Sequence, residues 1–331
     1  MSTLWGTSIL QEGIDKIMGQ GSDPCPSNYC ADEGRYIAYM LEYIRNELLN
    51  LSDNGNYATF TSALIPGCDN LIGVRQPVLK KYARRLVKDN EDFRALLTEP
   101  DIYHEETLLR GYVIGYGTAK EKNFDMSLQD LKDYVPLVSN WAVNDGFCAE
   151  FKVMDSFRDE FLPYIRECVL SGEEYKARVG LIMLLDHYLK VDENGNKKAR
   201  MRNVCVGDII TGNEKNIADV LHRDNTKNTT LSEGNDYKVD NNAATGKYLD
   251  EIFSLVNRDF SGNGYYTQMA AGWLLAECFV TFPRRTWEYL TDKNNLKLDA
   301  VSYKKAINKI CESLTPDKEV KALARKIWNH I

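Results

Sequence analysis

Metal ligands are scarce in this chain of 331 residues. It contains four histidines, far apart at positions 104, 187, 222 and 330, and eight cysteines without one CxxC pair. Zinc sites combine such residues at short spacings, so the sequence predicts no metal site, and nothing in it implies a cofactor. Most cysteines lie in apolar helical patterns, as Cys168 does in YIRECVL, which indicates small buried side chains rather than a disulfide scaffold.

Long apolar runs are also missing. No run approaches the roughly 20 residues that cross a bilayer. The start, MSTLWGTSILQEG, has no basic segment before its apolar residues, as a secretory signal would. With 44% hydrophobic and 27% charged residues, the composition is that of a globular protein. We therefore expect a cytoplasmic monomer with no membrane partner.

Positive charge is in deficit overall but concentrated locally. The net charge is −7, and residues 1–60 alone contain eight acidic and three basic residues. The segment 75–88, RQPVLKKYARRLVK, has six bases and no acid, and a second basic bias lies at 304–326. A solvated face is the ordinary explanation of such a segment. Phosphate contact is the interpretation we favour, through Arg75, Lys80, Lys81, Arg84 and Arg85.

Alternating strand patterns are absent, whereas apolar residues recur at spacings of three and four. Seven segments fit amphipathic or buried helices: 35–51, 78–88, 105–117, 155–170, 173–190, 265–282 and 302–314. The helices come in pairs at roughly forty-residue intervals, the spacing of HEAT-like repeats. The sequence thus predicts an all-α fold, a HEAT-like helical-repeat solenoid with a concave binding face. A compact helical bundle is the alternative.

Helix starts and segment boundaries can be placed from local signals. Pro77 indicates a first helical turn, and Asp155, Ser302 and Asp317 are expected to precede helices. Residues 1–33 contain GQGSDPCPSNYC and are predicted to be a loosely ordered extension. Residues 34–331 are predicted to form a single helical-repeat domain, interrupted at about 191–246 by an insertion rich in Asn and Gly, within which VGDIITGNEKNIADVLHR fits one short helix.

One stretch, SNWAVNDGFC at 139–148, combines an indole with a carboxylate. Trp141 precedes Asp145 by four residues, so on a helix both side chains lie on one face. The ordinary explanation is a core tryptophan beside a solvated or capping aspartate. Asn144 and Gly146 have weak helix propensity, which favours an early end of that helix.

Six segments in the same order resemble one family. They are LIPGCDNLIGVRQPVLKKYARRL, LLRGYVIGY, NWAVNDGFC, RVGLIMLLDHYL, YYTQMAAGWLLAECFVTFP and WEYL. Together they resemble the AlkD-type DNA alkylation repair proteins, which are monofunctional DNA glycosylases built from HEAT-like repeats. The resemblance covers about residues 52–190 and 247–331, and it leaves out the extension and the insertion.

The resemblance implies a set of site residues. The family's tryptophan and aspartate match Trp141 and Asp145, its arginine matches Arg178 in EYKARVGL, and its second tryptophan matches Trp273 in AAGWLLAE. A further aromatic position falls on Phe60 or Tyr57. The resemblance also implies that the partner is double-stranded alkylated DNA, that N3- and N7-alkylpurines are the lesions, and that the base is excised without being flipped into a pocket.

These residue types suit the chemistry. Breaking the C1′–N bond of an alkylpurine creates an oxocarbenium-like sugar, whose charge a carboxylate such as Asp145 stabilises while it orients water. Tryptophan faces attract the cationic base, by about 0.5–2 kcal/mol. An arginine such as Arg178 suits a phosphate oxygen.

Other interpretations stay open at this point. Trp273 follows Ala270, Ala271 and Gly272, which also fits close helix packing around a buried indole. Arg178 is one turn from Glu174 and fits a surface ion pair. The neighbours Asp186 and His187 point about 100° apart on a helix and are interpreted as structural or interfacial polar residues. For the whole chain, the alternative is a non-catalytic helical-repeat module that binds DNA structures or a protein partner.

Overall fold

The structure is a computed structural model that describes residues 33–53, 56–90, 92–97, 100–192, 194–210 and 246–328. Within these ranges the chain is helical and has no β-strand, only isolated bridges such as that between Val191 and Lys197. The predicted all-α class is confirmed. The predicted extension, apart from its last residue, and most of the predicted insertion lie outside the described residues. The solenoid and the domain boundaries stay predictions.

Contacts group the chain into two compact units, Met1–Phe157 and Arg158–Ile331. The α-helices described in the first unit are α1 Glu33–Asn50, α2 Asn56–Leu64, α3 Gln76–Asp89, α4 His104–Glu121, α5 Phe124–Tyr134 and α6 Trp141–Glu150. Those described in the second unit are α7 Arg158–Leu170, α8 Glu174–Met183, α9 Val206–Ile209, α10 Leu249–Val256, α11 Tyr265–Thr281, α12 Pro283–Thr291, α13 Ala300–Glu312 and α14 Lys318–Trp328.

All seven predicted helical segments are helical over most of their length. Pro77 lies in the first turn of α3, as predicted, and the Asp317 carboxylate accepts from the Val320 amide ahead of α14. Asp155 precedes α7 as predicted, though not directly, and the start predicted at Ser302 is wrong. Asp155 lies within a 3₁₀ turn, Lys152–Ser156, before α7. Helix α13 begins two residues before Ser302, because the Asp299 side chain accepts from the amides of residues 301 and 302.

In the first unit, α4 approaches its neighbours closely at glycines. A Cβ atom on Gly111 would lie 2.5 Å from the Tyr134 hydroxyl oxygen, and one on Gly115 would lie 2.7 Å from the carbonyl oxygen of Glu150. Gly146 of α6 meets α4 in the same way, with a Cβ 2.9 Å from the Tyr112 hydroxyl. The expected early end of α6 is therefore wrong: close packing outweighs weak helix propensity, and α6 continues to residue 150.

In the second unit, two further glycines allow close helix contacts. A Cβ on Gly180 of α8 would lie 2.7 Å from the backbone nitrogen of Val169 in α7. One on Gly272 of α11 would lie 2.7 Å from Cβ of Lys305 in α13. A π-helical turn, Leu184–Tyr188, follows α8. His187 in that turn is buried, which agrees with its structural interpretation.

The described cysteines agree in part with the expectation of small buried side chains, since three are buried and three are partly exposed. Six cysteines are described and all are free thiols, and Cys148, Cys168 and Cys278 are buried. Burial raises the pKa of the Cys168 thiol to about 12. None of the helices in the described ranges is long and apolar enough to cross a bilayer.

Candidate functional site

Helix α6 begins at the candidate site and holds both members of the Trp-Asp pair. The side-chain oxygen of Asn140 accepts from the amides of Ala142 and Val143, each at 3.0 Å, so the helix starts at Trp141. Asp145 follows one turn later on the same face, as predicted. Both side chains are partly exposed. The arrangement leaves an indole and a carboxylate within reach of solvent on one helix face.

Trp141 does not lie in the core. Its indole nitrogen donates to the carbonyl of Leu64 at the end of α2, at 3.0 Å, and this bond fixes the ring orientation. The ring lines a pocket of about 60 Å³. Other residues lining this pocket are Tyr57, Thr61, Leu64, Ile65, Val74, Gln76, His104, Glu105, Leu108 and Ala142. Such a volume admits a few water molecules or part of a ligand.

Aromatic side chains of α2 lie beside this pocket. The rings of Tyr57 and Phe60 stack with centroids 6.1 Å apart, and Arg75 lies over the Tyr57 ring at 4.9 Å. Tyr57 lines the pocket, whereas Phe60 is 60% exposed. The predicted aromatic position thus corresponds to two neighbouring rings, one at the pocket and one on the surface. Whether either contacts DNA stays a prediction.

Sequence reasoning missed two buried polar residues at the start of α4. Glu105 accepts from the amides of Ile72, Gly73 and Val74, at 2.8, 2.7 and 3.3 Å. Gly73 adopts a positive φ of 93°. Glu105 thereby holds the turn that leads into the basic helix α3. His104 contacts the side chain of Asn140. The only signal for either in the sequence was a polar pair at the start of an apolar helix.

The basic side chains on and just before α3 divide into two groups. Arg75 pairs with Asp53 at 3.2 Å, Lys80 with Glu150 at 2.8 Å, and Arg85 with Glu47 at 3.5 Å. In the second group, Lys81, Arg84 and Lys88 are exposed, and within the described residues none of the three forms an ion pair. The Arg84 guanidinium lies over the ring of Tyr116 at 4.6 Å. Phosphate binding by α3 stays a prediction, and the structure distinguishes partnered from available cations.

In the second unit, Arg178 is on α8 and is only 5% exposed. Its Nη1 donates to the carbonyl of Tyr266 in the first turn of α11, at 2.8 Å. The Glu174 carboxylate, one turn earlier, accepts from the amide of Tyr266 at 2.6 Å. Both side chains therefore link α8 to the start of α11, so Arg178 is not an exposed surface arginine.

Trp273 lies on α11, next to the residues that bring α11 close to α13. Ala270 and Ala271 are fully buried, and Gly272 is in close contact with Lys305. Trp273 itself is partly exposed. The close helix packing of the alternative interpretation is therefore present, but it is formed by the small residues before Trp273, and the indole itself is not fully buried.

The four predicted active-site residues are distributed over both units. Trp141 and Asp145 belong to the first unit, and Arg178 and Trp273 belong to the second. Their joint action stays a prediction. Among the described residues, no group of three or more His, Cys, Asp or Glu side chains could hold a metal ion.

Fold and sequence together define the class of the protein. It is an all-α protein, and its residues 44–206 match the family model described as DNA alkylation repair enzyme. The match is consistent with an AlkD-type DNA alkylation repair protein. Comparison with curated proteins finds no match, and comparison with solved structures also finds none. The matched segment includes Trp141, Asp145 and Arg178. This match supports a role in DNA alkylation repair.

Proposed function

We propose that this protein is a monofunctional DNA glycosylase that releases N3- and N7-alkylated purines from duplex DNA. The observation that carries the proposal is the pair on α6: Trp141 and Asp145 lie one turn apart on the same face, and both are partly exposed. The indole also lines a pocket. Within a DNA alkylation repair protein, this pair combines a surface for a cationic base with a carboxylate for a cationic sugar.

Asp145 acts on the sugar. When the C1′–N bond breaks, its electron pair goes to the purine and neutralises the base, and positive charge develops on the sugar. The Asp145 carboxylate stabilises that charge and orients a water molecule, whose oxygen bonds to C1′. The proton released by this water passes to the carboxylate and then to solvent. No metal or cofactor is needed for this sequence of steps.

Trp141 acts on the base. An alkylated purine carries positive charge, which the face of an indole attracts by about 0.5–2 kcal/mol depending on desolvation. Because the indole nitrogen is bonded to the Leu64 carbonyl, the ring is held in one orientation before DNA binds. Holding the ring in advance reduces the entropy lost on binding.

Arg178 and Trp273 are assigned by the family pattern. We propose that Trp273 offers a second ring face, which its partial exposure permits. We propose that Arg178 positions a phosphate of the lesion strand, as a planar guanidinium does well. Its contact with the Tyr266 carbonyl holds the side chain in a defined orientation. Cationic residues on and before α3, with Phe60 on α2, are proposed to contact the duplex.

The test is base release from methylated duplex DNA. Release of 7-methylguanine and 3-methyladenine is measured for the wild type and for Asp145→Asn, which keeps the size of the side chain and removes its charge. We expect the variant to lose most of the rate, by about 100-fold or more, the usual effect of removing one group that stabilises a developing charge. Asp125→Asn, at an exposed position on α5, is the matched control.

Folding and DNA affinity of the variants are compared by circular dichroism and by binding to undamaged duplex. Equal release by Asp145→Asn and Asp125→Asn would remove Asp145 from the chemistry. A wild type that folds and binds DNA but releases neither base would refute the glycosylase proposal. It would favour a non-catalytic module that recognises DNA structures or a protein partner.

A further inference from the structure

A buried histidine contacts the residue that caps the Trp141 helix. His104, the first residue of α4, is 5% exposed, and its Nδ1 lies 3.2 Å from the side-chain nitrogen of Asn140. Asn140 caps α6, which begins at Trp141. His104 also lines the same pocket as Trp141. The contact therefore joins the start of α4 to the start of the helix that presents the indole.

The cap determines the protonation of this histidine. The Asn140 oxygen accepts from the amides of Ala142 and Val143, so the other end of its side chain is the NH₂ group, which is only a donor. That donor faces Nδ1 of His104, which must therefore be the acceptor and carry no proton. The histidine is neutral, and its proton is on Nε2.

The surroundings of His104 favour the neutral form. Burial lowers the pKa of His104 and is the larger effect, while the charge of Glu105 raises it. The helix dipole also disfavours a cation at the first residue of α4. Glu105 and Tyr57 are the other titratable side chains lining this pocket, and the Glu105 carboxylate is occupied by three backbone amides.

We propose that neutral His104 is a positioning residue for Trp141: its Nδ1 orients the Asn140 side chain, and Asn140 holds the first turn of α6. When His104 is protonated, its Nδ1–H faces the Asn140 NH₂ group, so two donors meet and the hydrogen bond between the side chains is lost. The Asn140 side chain then rotates, and its oxygen no longer accepts from the amides at the start of α6. Trp141, next in sequence, then loses its defined position at the pocket. The inference rests on the proposed function only in assuming that Trp141 binds an alkylated base. The effect of His104 on the α6 cap can be measured without DNA.

The sign of the pH dependence follows from the lowered pKa. A histidine whose folded pKa lies below its ordinary value of about 6.5 stabilises the fold fully above that pH. The stabilisation is lost as the pH falls through the folded pKa. We therefore expect the α6 cap to weaken in mildly acidic solution, while the rest of the unit stays folded.

Amide hydrogen exchange at Ala142 and Val143 measures the cap directly. Protection of these two amides is followed in the full chain from pH 7.5 to pH 5. In the wild type we expect it to fall about fivefold as His104 protonates, the factor that corresponds to losing a typical asparagine cap. His104→Asn keeps an acceptor at the Nδ1 position but cannot be protonated, so its protection should stay constant over this range.

A second variant, Asn140→Asp, is expected to reverse the pH dependence of the cap. Asn140→Asp keeps the oxygen that caps α6 and replaces the NH₂ group with an acceptor, which favours protonated His104. Protection in this variant should persist at pH 5. Base release is measured across the same pH range. It should decline in acid for the wild type and stay level for His104→Asn. A purely structural role of His104 would not produce this difference between the two proteins.

Each outcome bears on the inference. Constant protection in the wild type, or an equal decline in wild type and His104→Asn, would overturn it. If circular dichroism shows that His104→Asn does not fold, the inference is tested by amide protection in the wild type and in Asn140→Asp. Constant protection in the wild type, or loss of protection in Asn140→Asp at pH 5, would then overturn it. A cap that responds to pH in a protein that releases no base would support the positioning role of His104 while refuting the glycosylase.

Discussion

At the residue scale, the spacing of Trp141 and Asp145 places them on one helix face, whereas residues distant in sequence hold that face in position. The four-residue spacing of Trp141 and Asp145 predicts a shared helix face, and α6 confirms it. The sequence does not show which atoms hold that face. A carbonyl 77 residues away accepts from the Trp141 indole, and the asparagine before it is oriented by His104.

Single glycines also decide how closely helices approach. Gly180, two residues after Arg178, has no room for a methyl group, because a Cβ there would lie 2.6 Å from the Val169 Cγ2 atom and 2.7 Å from its backbone nitrogen. Gly172, in the turn between the same two helices, has nothing within 4 Å of a Cβ. The two positions form a matched pair.

We predict that Gly180→Ala destabilises the protein by about 1–3 kcal/mol, the cost of overpacking a close contact. Gly172→Ala should be neutral or stabilise by up to about 1 kcal/mol, because alanine reduces the freedom of the unfolded chain. Urea unfolding followed by circular dichroism gives the midpoints. Similar midpoints for both variants would mean that α7 and α8 adjust easily at Gly180.

At the element scale, only some of the cationic side chains of α3 are available to a ligand. Its apolar side, Leu79, Tyr82, Ala83, Leu86 and Val87, is buried. Of the opposite cations, Lys80 and Arg85 are paired with Glu150 and Glu47. Within the described residues, Lys81, Arg84 and Lys88 are therefore the cations of this helix that can approach a phosphate without losing an ion pair.

We predict that Lys81→Ala and Arg84→Ala each reduce the salt dependence of binding to plain duplex DNA by about one phosphate, a change of about 0.9 in the logarithmic slope. Lys80→Ala and Arg85→Ala should change it less. The measurement is affinity over a series of salt concentrations. Equal slopes for all four variants would contradict this division, and a quadruple alanine variant with unchanged affinity would remove α3 from the DNA contact.

Helix starts differ in how well the sequence locates them. Pro77 and Asp317 act within their own turn, so a local signal suffices. The start predicted at Ser302 is wrong because Asp299 is the acceptor that caps the helix. Asp299 also accepts from the amide of Phe260 and from the side chain of Gln268, contacts that no local pattern contains. Similarly, Gly146 remains helical because α6 packs closely against α4 at that point.

At the scale of the whole molecule, buried tyrosines couple stability to alkaline pH. Desolvation is the first cause of the raised pKa of Tyr112 and Tyr134 in the first unit and of Tyr188 and Tyr303 in the second. Three of these hydroxyls donate to backbone carbonyls: Tyr134 to Thr107, Tyr188 to Arg158 and Tyr303 to Leu290. The neutral phenols thus belong to the folded state.

We predict that the protein stays folded up to about pH 10 and loses stability as the pH rises further. A raised folded pKa gives stability that is complete below the ordinary value of about 10 and is lost as the pH passes through the folded value. Tyrosinate absorbance and circular dichroism are recorded together during the titration. Ionisation of all 19 tyrosines while the helical signal remains intact would contradict the prediction.

The sequence alone determined the all-α class, the main helices, the buried character of several cysteines and the resemblance to DNA alkylation repair proteins. These features depend on apolar spacing and on ordered segments, both of which are properties of the chain itself. The tertiary structure decided which cations of α3 are already paired, that Glu105 holds the turn at 72–74, and that His104 must be neutral. His104 and Asn140 are separated by 36 residues, so only the fold brings them together. Polar partners in a protein interior are chosen by geometry, because each buried donor or acceptor must find its complement wherever the packing places one.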